Sequence, residues 1–186
     1  PDGIRANDLR AAGVPIIEFP VRSFKSPRLA GSVWSLRTYI RRAGIGLVHT
    51  FDTPTNIFGI PAAKLAGVPV LGSQLWFPDS IEPALRPLSR LMNRLADQVV
   101  VNSDAVRRYL IEREHFSPDR LFLNHNGVET EVFYPAVGEK PEAVADASVV
   151  IGTVCALRPE KRIDLLLRAF ARARSAHSGA VLLIVG

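Results

Sequence analysis

The amino-acid sequence predicts an α/β fold of doubly wound parallel sheets, and three observations support that prediction. Short apolar runs alternate along the chain with segments of helical periodicity. The apolar runs are continuous, as is typical of parallel strands that helices cover on both faces. Residue types that begin and end helices stand between the two kinds of segment.

Five strands are predicted before the chain reaches its Pro- and Ala-rich segment. A Gly-Val-Pro turn introduces the first of them, and the others are short aliphatic runs. They are residues 13–21, 45–50, 68–73, 98–103 and 120–124.

Helices are predicted between these strands. Apolar side chains repeat at helical spacing in residues 32–44. The next helix is predicted over residues 52–67, with Thr53 as its N-cap, Pro54 at its first position and Gly67 at its end. Two further helices are predicted over residues 80–96 and after the Ser103-Asp104 cap.

A change of composition predicts the domain organisation. Residues 135–148 are rich in Pro, Ala and acids and lack an apolar period, which indicates a linker. Residues 1–134 would form part of one Rossmann-like domain, and residues 149–186 the start of a second. The second piece holds one strand-loop-helix-strand unit, with its helix from Ile163 to Arg174. Because about 40 residues bury too little surface to be stable alone, we expect an interior fragment of a larger two-domain protein, inactive by itself.

Charge and composition narrow the function classes. The net charge is +5, and residues 1–43 contain eight cations against three acids, while the rest of the chain is balanced. A basic face over residues 22–42 would suit an anionic membrane surface, and a solvated helix face is the alternative. The single cysteine fits a reducing compartment, and no apolar run approaches the ~18 residues of a membrane span. We expect a cytoplasmic protein, peripheral at the inner membrane face if the basic face binds lipid, without a nucleic-acid partner.

The segment "VCALRPEKRID", residues 154–164, contains an unusual arrangement of charge. A predicted strand ends there, and three cations follow before the next helix. Lys161 and Arg162 oppose the helix dipole, at a cost of a few tenths of a kcal/mol each. A phosphate bound at the helix N-terminus would make this arrangement favourable, and solvated charges on a polar turn are the alternative.

Four stretches in order resemble the retaining family 4 of GT-B glycosyltransferases. The stretches are "GLVHTFDTPTNIFGIPAAKLAGVPVLGSQ", "ADQVVVNSDAVRRYL", "RLFLNHNGVETEVFYP" and "IGTVCALRPEKRIDLLLRAF". The resemblance implies a hexosyltransferase-type enzyme that moves a sugar from a nucleotide-sugar donor to a glycan or glycolipid acceptor. It implies that the acceptor binds the first domain and the donor the second, without a metal bound by an Asp-x-Asp motif or a further cofactor. A non-catalytic phosphate- or nucleotide-binding module, completed by a partner, is the alternative.

The same resemblance implies site residues. Lys161 matches the family lysine that holds the donor diphosphate, while the family arginine falls on Ala156, so Arg158 is the candidate for its role. His49 and Asp52 are candidates for the cleft between the domains, and a histidine that only fixes a loop is the alternative for His49. A second family histidine is missing, because the stretch "GSQLWF" stands at its place.

Asn126 and Gly127 are the expected hinge residues, since both tolerate left-handed backbone conformations.

Overall fold

The structure is a computed structural model that describes residues 5–186 apart from residues 22, 25, 136, 137 and 139, and without the side chain of Asp79. The chain forms two compact units, of which the first ends at Gly127 and the second begins at Val128. The segment predicted as a linker contains a short 3₁₀ turn at Glu142–Val144. The division into parts of two Rossmann-like domains stays a prediction.

The first unit is a parallel four-stranded sheet with helices. Its elements are α1 (Ala6–Ala11), α2 (Arg28–Arg42), β1 (Val48–Phe51), α3 (Asp52–Ala66), β2 (Val70–Gln74), α4 (Arg86–Leu95), β3 (Gln98–Val101), α5 (Asp104–Glu114) and β4 (Leu121–Leu123). The strands lie side by side in chain order, and each pairs in parallel with the next. All four carboxyl ends therefore meet at one edge of the sheet.

The second unit contains one strand-helix-strand unit. Its elements are β5 (Val149–Val154), α6 (Ile163–Arg174) and β6 (Ala180–Val185). The two strands pair in parallel over their whole length. The α6 helix has the predicted bounds, and the α/β class with parallel sheets is confirmed.

The core of the first unit lies between the sheet and α3. Ile57 and Ile60 of α3 pack with Val70 of β2 and Val99 of β3, and none of these side chains is more than 3% exposed. On its other side α3 contacts Val33 and Ile40 of α2 through Ala62. The central position of α3 fixes where the carboxyl end of β1 turns into the helix.

The strand predicted over residues 13–21 is wrong. Residues 14–21 contain no sheet-paired stretch. Pro15 and Pro20 remove two of the backbone donors that a ladder needs. The segment instead packs through Phe19, whose ring centroid lies 5.8 Å from that of Tyr39 and 6.2 Å from that of Phe58.

The helix ends agree in part with the predictions. Thr53 is not an N-cap, because α3 already begins at Asp52 and no side chain caps it. Gly67 ends α3 in a left-handed conformation with φ of 77°, as predicted. Ser103 caps α5, and its Oγ accepts a hydrogen bond from the Val106 amide at 3.3 Å. The predicted 80–96 helix is shortened to α4 because Pro83 starts a separate 3₁₀ turn before it.

Two kinds of feature are absent from the described part of the chain, membrane-spanning helices and metal-ligating clusters. No helix there combines the length and the apolar character that crossing a bilayer requires. Nor do three or more His, Cys, Asp or Glu side chains come together there in a way that could ligate a metal ion.

Candidate functional site

The loop between β5 and α6 holds the two predicted diphosphate-binding residues. It leaves the sheet at the carboxyl end of β5 and forms a 3₁₀ turn over Pro159–Lys161. The Lys161 amide donates to the Arg158 carbonyl oxygen at 3.0 Å, so the two residues lie together across this turn. Arg162 follows at the N-cap position of α6, with a left-handed φ of 50°.

The cations of this loop differ in their partners. Arg158 Nη1 lies 4.0 Å from a carboxylate oxygen of Glu160, and Arg162 Nε lies 3.6 Å from one of Asp164. Both pairs are exposed, and such pairs contribute at most about 1 kcal/mol. Lys161 is exposed and, among the described residues, has no acid within ion-pair distance. Of the three, Lys161 is the cation whose charge is least neutralised by the chain itself.

Asp52 stands at the carboxyl end of β1, as predicted, in an uncommon backbone conformation. Its φ is 70°, which costs a non-glycine residue about 1–2 kcal/mol. Its Oδ2 accepts a hydrogen bond from the Trp76 indole Nε1 at 3.3 Å. Its Oδ1 is buried and has no hydrogen-bond partner among the described residues.

His49 lies inside β1, because this strand continues past the predicted end at residue 50 to Phe51. Its Nε2 is 2.8 Å from Ser73 Oγ on the neighbouring strand. Its ring centroid is 4.2 Å from that of Phe51. His49 and Asp52 thus have different partners, Ser73 and Trp76, and the structure does not join them in one hydrogen-bonded pair.

A buried chain of amide side chains lies beneath the same edge of the sheet. Thr50 Oγ1 donates to Asn56 Oδ1 at 2.5 Å, and Asn56 Nδ2 donates to Asn93 Oδ1 at 3.4 Å. Asn93 Nδ2 donates to Gln74 Oε1 at 3.2 Å, and Gln74 Nε2 donates to the Trp76 carbonyl oxygen at 2.8 Å. Thr50, Asn56, Asn93 and Gln74 are all at most 5% exposed. This network was not predicted from the sequence, although α3, β2 and α4 each carry an amide residue on their buried face.

The predicted hinge residues follow β4. Gly127 is the last residue of the first unit. Neither Asn126 nor Gly127 has a positive φ, so the left-handed backbone that we expected there is not found. Their role as a hinge stays a prediction.

Comparison with known proteins identifies relatives. A family model described as Glycosyltransferase Family 4 matches residues 2–132. The D-inositol 3-phosphate glycosyltransferase of Mycobacterium ulcerans (strain Agy99) is 32% identical over 154 residues, which are 77% of this chain and 29% of that protein. The protein of the same name from Mycobacterium avium (strain 104) is 34% identical over 151 residues, 77% of this chain and 31% of that protein. The chain therefore spans less than a third of the length of these relatives.

Solved structures show the same fold at low identity. Anabaena Alr3699/HepE in complex with UDP and glucose matches with a TM-score of 0.75 and 20% identity, over 99% of this chain and 51% of that one. Acinetobacter baumannii MurG matches with a TM-score of 0.54 and 14% identity, over 100% of this chain and 55% of that one.

Proposed function

The chain belongs to glycosyltransferase family 4 and has a fold of the GT-B type, and from this premise we propose that it takes part in transfer of a hexosyl group from a nucleotide-sugar donor with retention of configuration. The observation that supports a diphosphate donor most directly is Lys161, an exposed cation at a strand-to-helix turn without an acidic partner among the described residues. The family match disfavours a non-catalytic phosphate-binding module.

The acceptor belongs to the same proposal. The curated relatives are named for D-inositol 3-phosphate, which supports an acceptor with a polyhydroxylated ring. A glycan or glycolipid, as the sequence suggests, presents the same kind of ring. The Anabaena structure contains UDP and glucose, which supports a uridine diphosphate sugar as the first donor to assay.

The proposed chemistry is electrostatic on the donor side. The bond between the anomeric carbon and the diphosphate oxygen breaks, and the leaving nucleoside diphosphate takes the electron pair. The oxygen of the acceptor hydroxyl forms the new glycosidic bond, and its proton passes to the departing diphosphate. Lys161, with Arg158 beside it, would neutralise the charge that grows on the leaving group. We propose that no metal is required, since these cations supply that charge.

Replacement of Lys161 by Ala tests the proposal in the full-length protein. A charge-assisted bond to phosphate is worth about 1.5–3 kcal/mol, so Lys161→Ala should lower kcat/KM by roughly ten- to hundredfold. Binding of the free nucleoside diphosphate, measured by calorimetry, should weaken in parallel, while the KM for the acceptor stays near its original value. The fold should tolerate the change, because a cation is removed from the N-terminal end of a helix.

Arg172→Ala is the matched control, because it removes one exposed positive charge from the last turn of the same helix. It should leave donor binding unchanged. Full activity and unchanged nucleotide affinity in Lys161→Ala would refute the phosphate-binding role and leave Lys161 as ordinary surface charge.

A further inference from the structure

We propose that Trp76 is the surface on which the ring of the acceptor lies, and that Asp52 and Gln74 are positioning residues, Asp52 for its indole and Gln74 for its main chain. This proposal rests on the proposed function and adds a specific acceptor subsite to it. It concerns only the first unit, at the edge of the sheet where β1 and β2 end.

Topology brings these residues to one place. Asp52 directly follows β1, and Trp76 follows β2 by two residues. The two strands are parallel neighbours, with Phe51 opposite Ser73. In open α/β sheets, ligands bind beyond the carboxyl ends of the strands, and this edge is where Trp76 lies.

Trp76 is held by one hydrogen bond at its indole and by one at its main chain. Its Nε1 donates to Asp52 Oδ2 at 3.3 Å. Its main-chain carbonyl accepts from Gln74 Nε2, which the buried amide of Asn93 fixes from the other side. The next residue, Phe77, packs against Tyr109 of α5 with a centroid distance of 4.9 Å. An aromatic ring that is fixed in this way loses little further conformational freedom when a ligand binds it.

Two features of Asp52 cost free energy in the folded protein. A left-handed backbone and a buried carboxylate oxygen without a hydrogen-bond partner among the described residues occur together at Asp52. Strained conformations and unsatisfied buried polar groups concentrate at functional sites. In this strained conformation Oδ2 accepts the hydrogen bond from the Trp76 indole. The strained residue is therefore the one that orients the ring.

The chemistry of the exposed surface fits a polyhydroxylated ring. Trp76 is 50% exposed although its N–H group and carbonyl are both engaged. Such a side chain offers a rigid apolar face, and its polar atom does not compete for the ligand. A pyranose or cyclitol ring has C–H groups on its faces, and these can pack on the exposed face of an aromatic ring.

Steady-state kinetics of the full-length protein test the subsite, with acceptor varied at saturating donor. Trp76→Leu keeps an apolar side chain without the aromatic ring and should raise the KM for acceptor about tenfold, with kcat changed less than about threefold. Trp76→Phe keeps an aromatic face and should raise the KM for acceptor less than about threefold. Affinity for the nucleoside diphosphate should be unchanged in both variants, which also reports that they are folded. Saturation-transfer NMR with myo-inositol and methyl α-D-glucoside should show ring protons in contact with wild type and not with Trp76→Leu.

Gln74→Met tests positioning, because the side chain keeps its length and loses the hydrogen bonds. Alone, it should raise the acceptor KM several-fold. In combination with Trp76→Leu, it should raise the acceptor KM no further than Trp76→Leu does, because both changes act through the ring of residue 76. Phe122→Ala is the matched control, because Phe122 is 58% exposed in the same unit, and it should leave the acceptor KM unchanged.

The two proposals fail differently. If wild type transfers no sugar from any nucleotide-sugar, the proposed function is wrong. If wild type is active and Trp76→Leu keeps the wild-type acceptor KM, the acceptor subsite is wrong. A weaker affinity for the donor in Trp76→Leu, with acceptor KM unchanged, would place the ring on the donor sugar and also overturn the acceptor assignment.

Discussion

At the residue scale, Asp97 connects α3 to the sheet. Its carboxylate accepts from Lys64 Nζ at 2.6 Å and from the Val70 amide at 2.8 Å. The hydrogen bond from Lys64, followed by that from the Val70 backbone, lowers the pKa of Asp97. Because its pKa in the folded state lies below that in the unfolded state, the stabilisation is present above the unfolded value and is lost as the pH falls through the folded one.

Asp97→Asn should therefore lower the free energy of unfolding at pH 7. The loss should not exceed about 1 kcal/mol, because both charged side chains are more than a third exposed. The difference from wild type should narrow as the pH falls below the ordinary aspartate pKa of about 3.9, which urea unfolding followed by circular dichroism can measure. Asp119→Asn, at an exposed acid of the turn before β4, is the matched control and should change the free energy of unfolding at pH 7 less than Asp97→Asn does. A difference that is constant with pH would contradict the role of the charge.

Local chemistry and long-range packing differ in how far the sequence predicts them. Lys161 and Arg158 are three residues apart, so a short motif was enough to place them in one turn. The bond between Asn56 and Asn93 joins residues 37 positions apart, so the amide on each buried face is visible in the sequence but its partner is not. The Thr53 cap was wrong because α3 begins at Asp52, so Phe51 and not Thr53 stands at the N-cap position.

At the scale of elements, the continuous aliphatic runs predicted β1 to β6 because parallel strands are buried by helices. The strand predicted over residues 13–21 is not found. Hydrophobicity alone therefore does not predict a strand where prolines remove backbone donors that a ladder needs. Within α3, Gly59 lies against β1, and a Cβ at this position would be 2.5 Å from Thr50 Cγ2. Gly59 lies inside a helix and forms no turn, so the close approach of α3 to β1 explains why a glycine stands there.

Gly59→Ala should destabilise the first unit by about 1–3 kcal/mol, because Thr50 is buried and must move. Gly31→Ala in α2 is the matched control. A Cβ there meets no atom within 4 Å, so the change should stabilise by about 0.5–1 kcal/mol through helix propensity. Thermal unfolding of both variants measures these changes in stability. Equal effects of the two substitutions would show that the contact with Thr50 does not change the free energy of unfolding.

At the scale of the whole molecule, the excess positive charge is concentrated before residue 44. The described cations of this region include Arg28, Arg37, Arg41 and Arg42 on α2, while Arg22 and Lys25 lie outside the described residues. The Arg37 guanidinium lies 4.4 Å from the ring centroid of Trp34, which is 57% exposed. An exposed tryptophan among arginines is typical of a helix that lies at a membrane interface.

We therefore predict that the full-length protein binds vesicles containing anionic lipid, and that binding weakens as salt rises. Each arginine near an anionic surface is worth about 1 kcal/mol, so the double variant Arg41→Ala/Arg42→Ala should lower the partition coefficient roughly thirtyfold in a sedimentation assay. Arg172→Ala/Arg174→Ala, on the last turn of α6, removes the same charge from the second unit and should have a much smaller effect. Equal binding to neutral and anionic vesicles at low salt would show that the arginines of α2 form a solvated face, and that membrane attachment, if any, depends on another part of the protein.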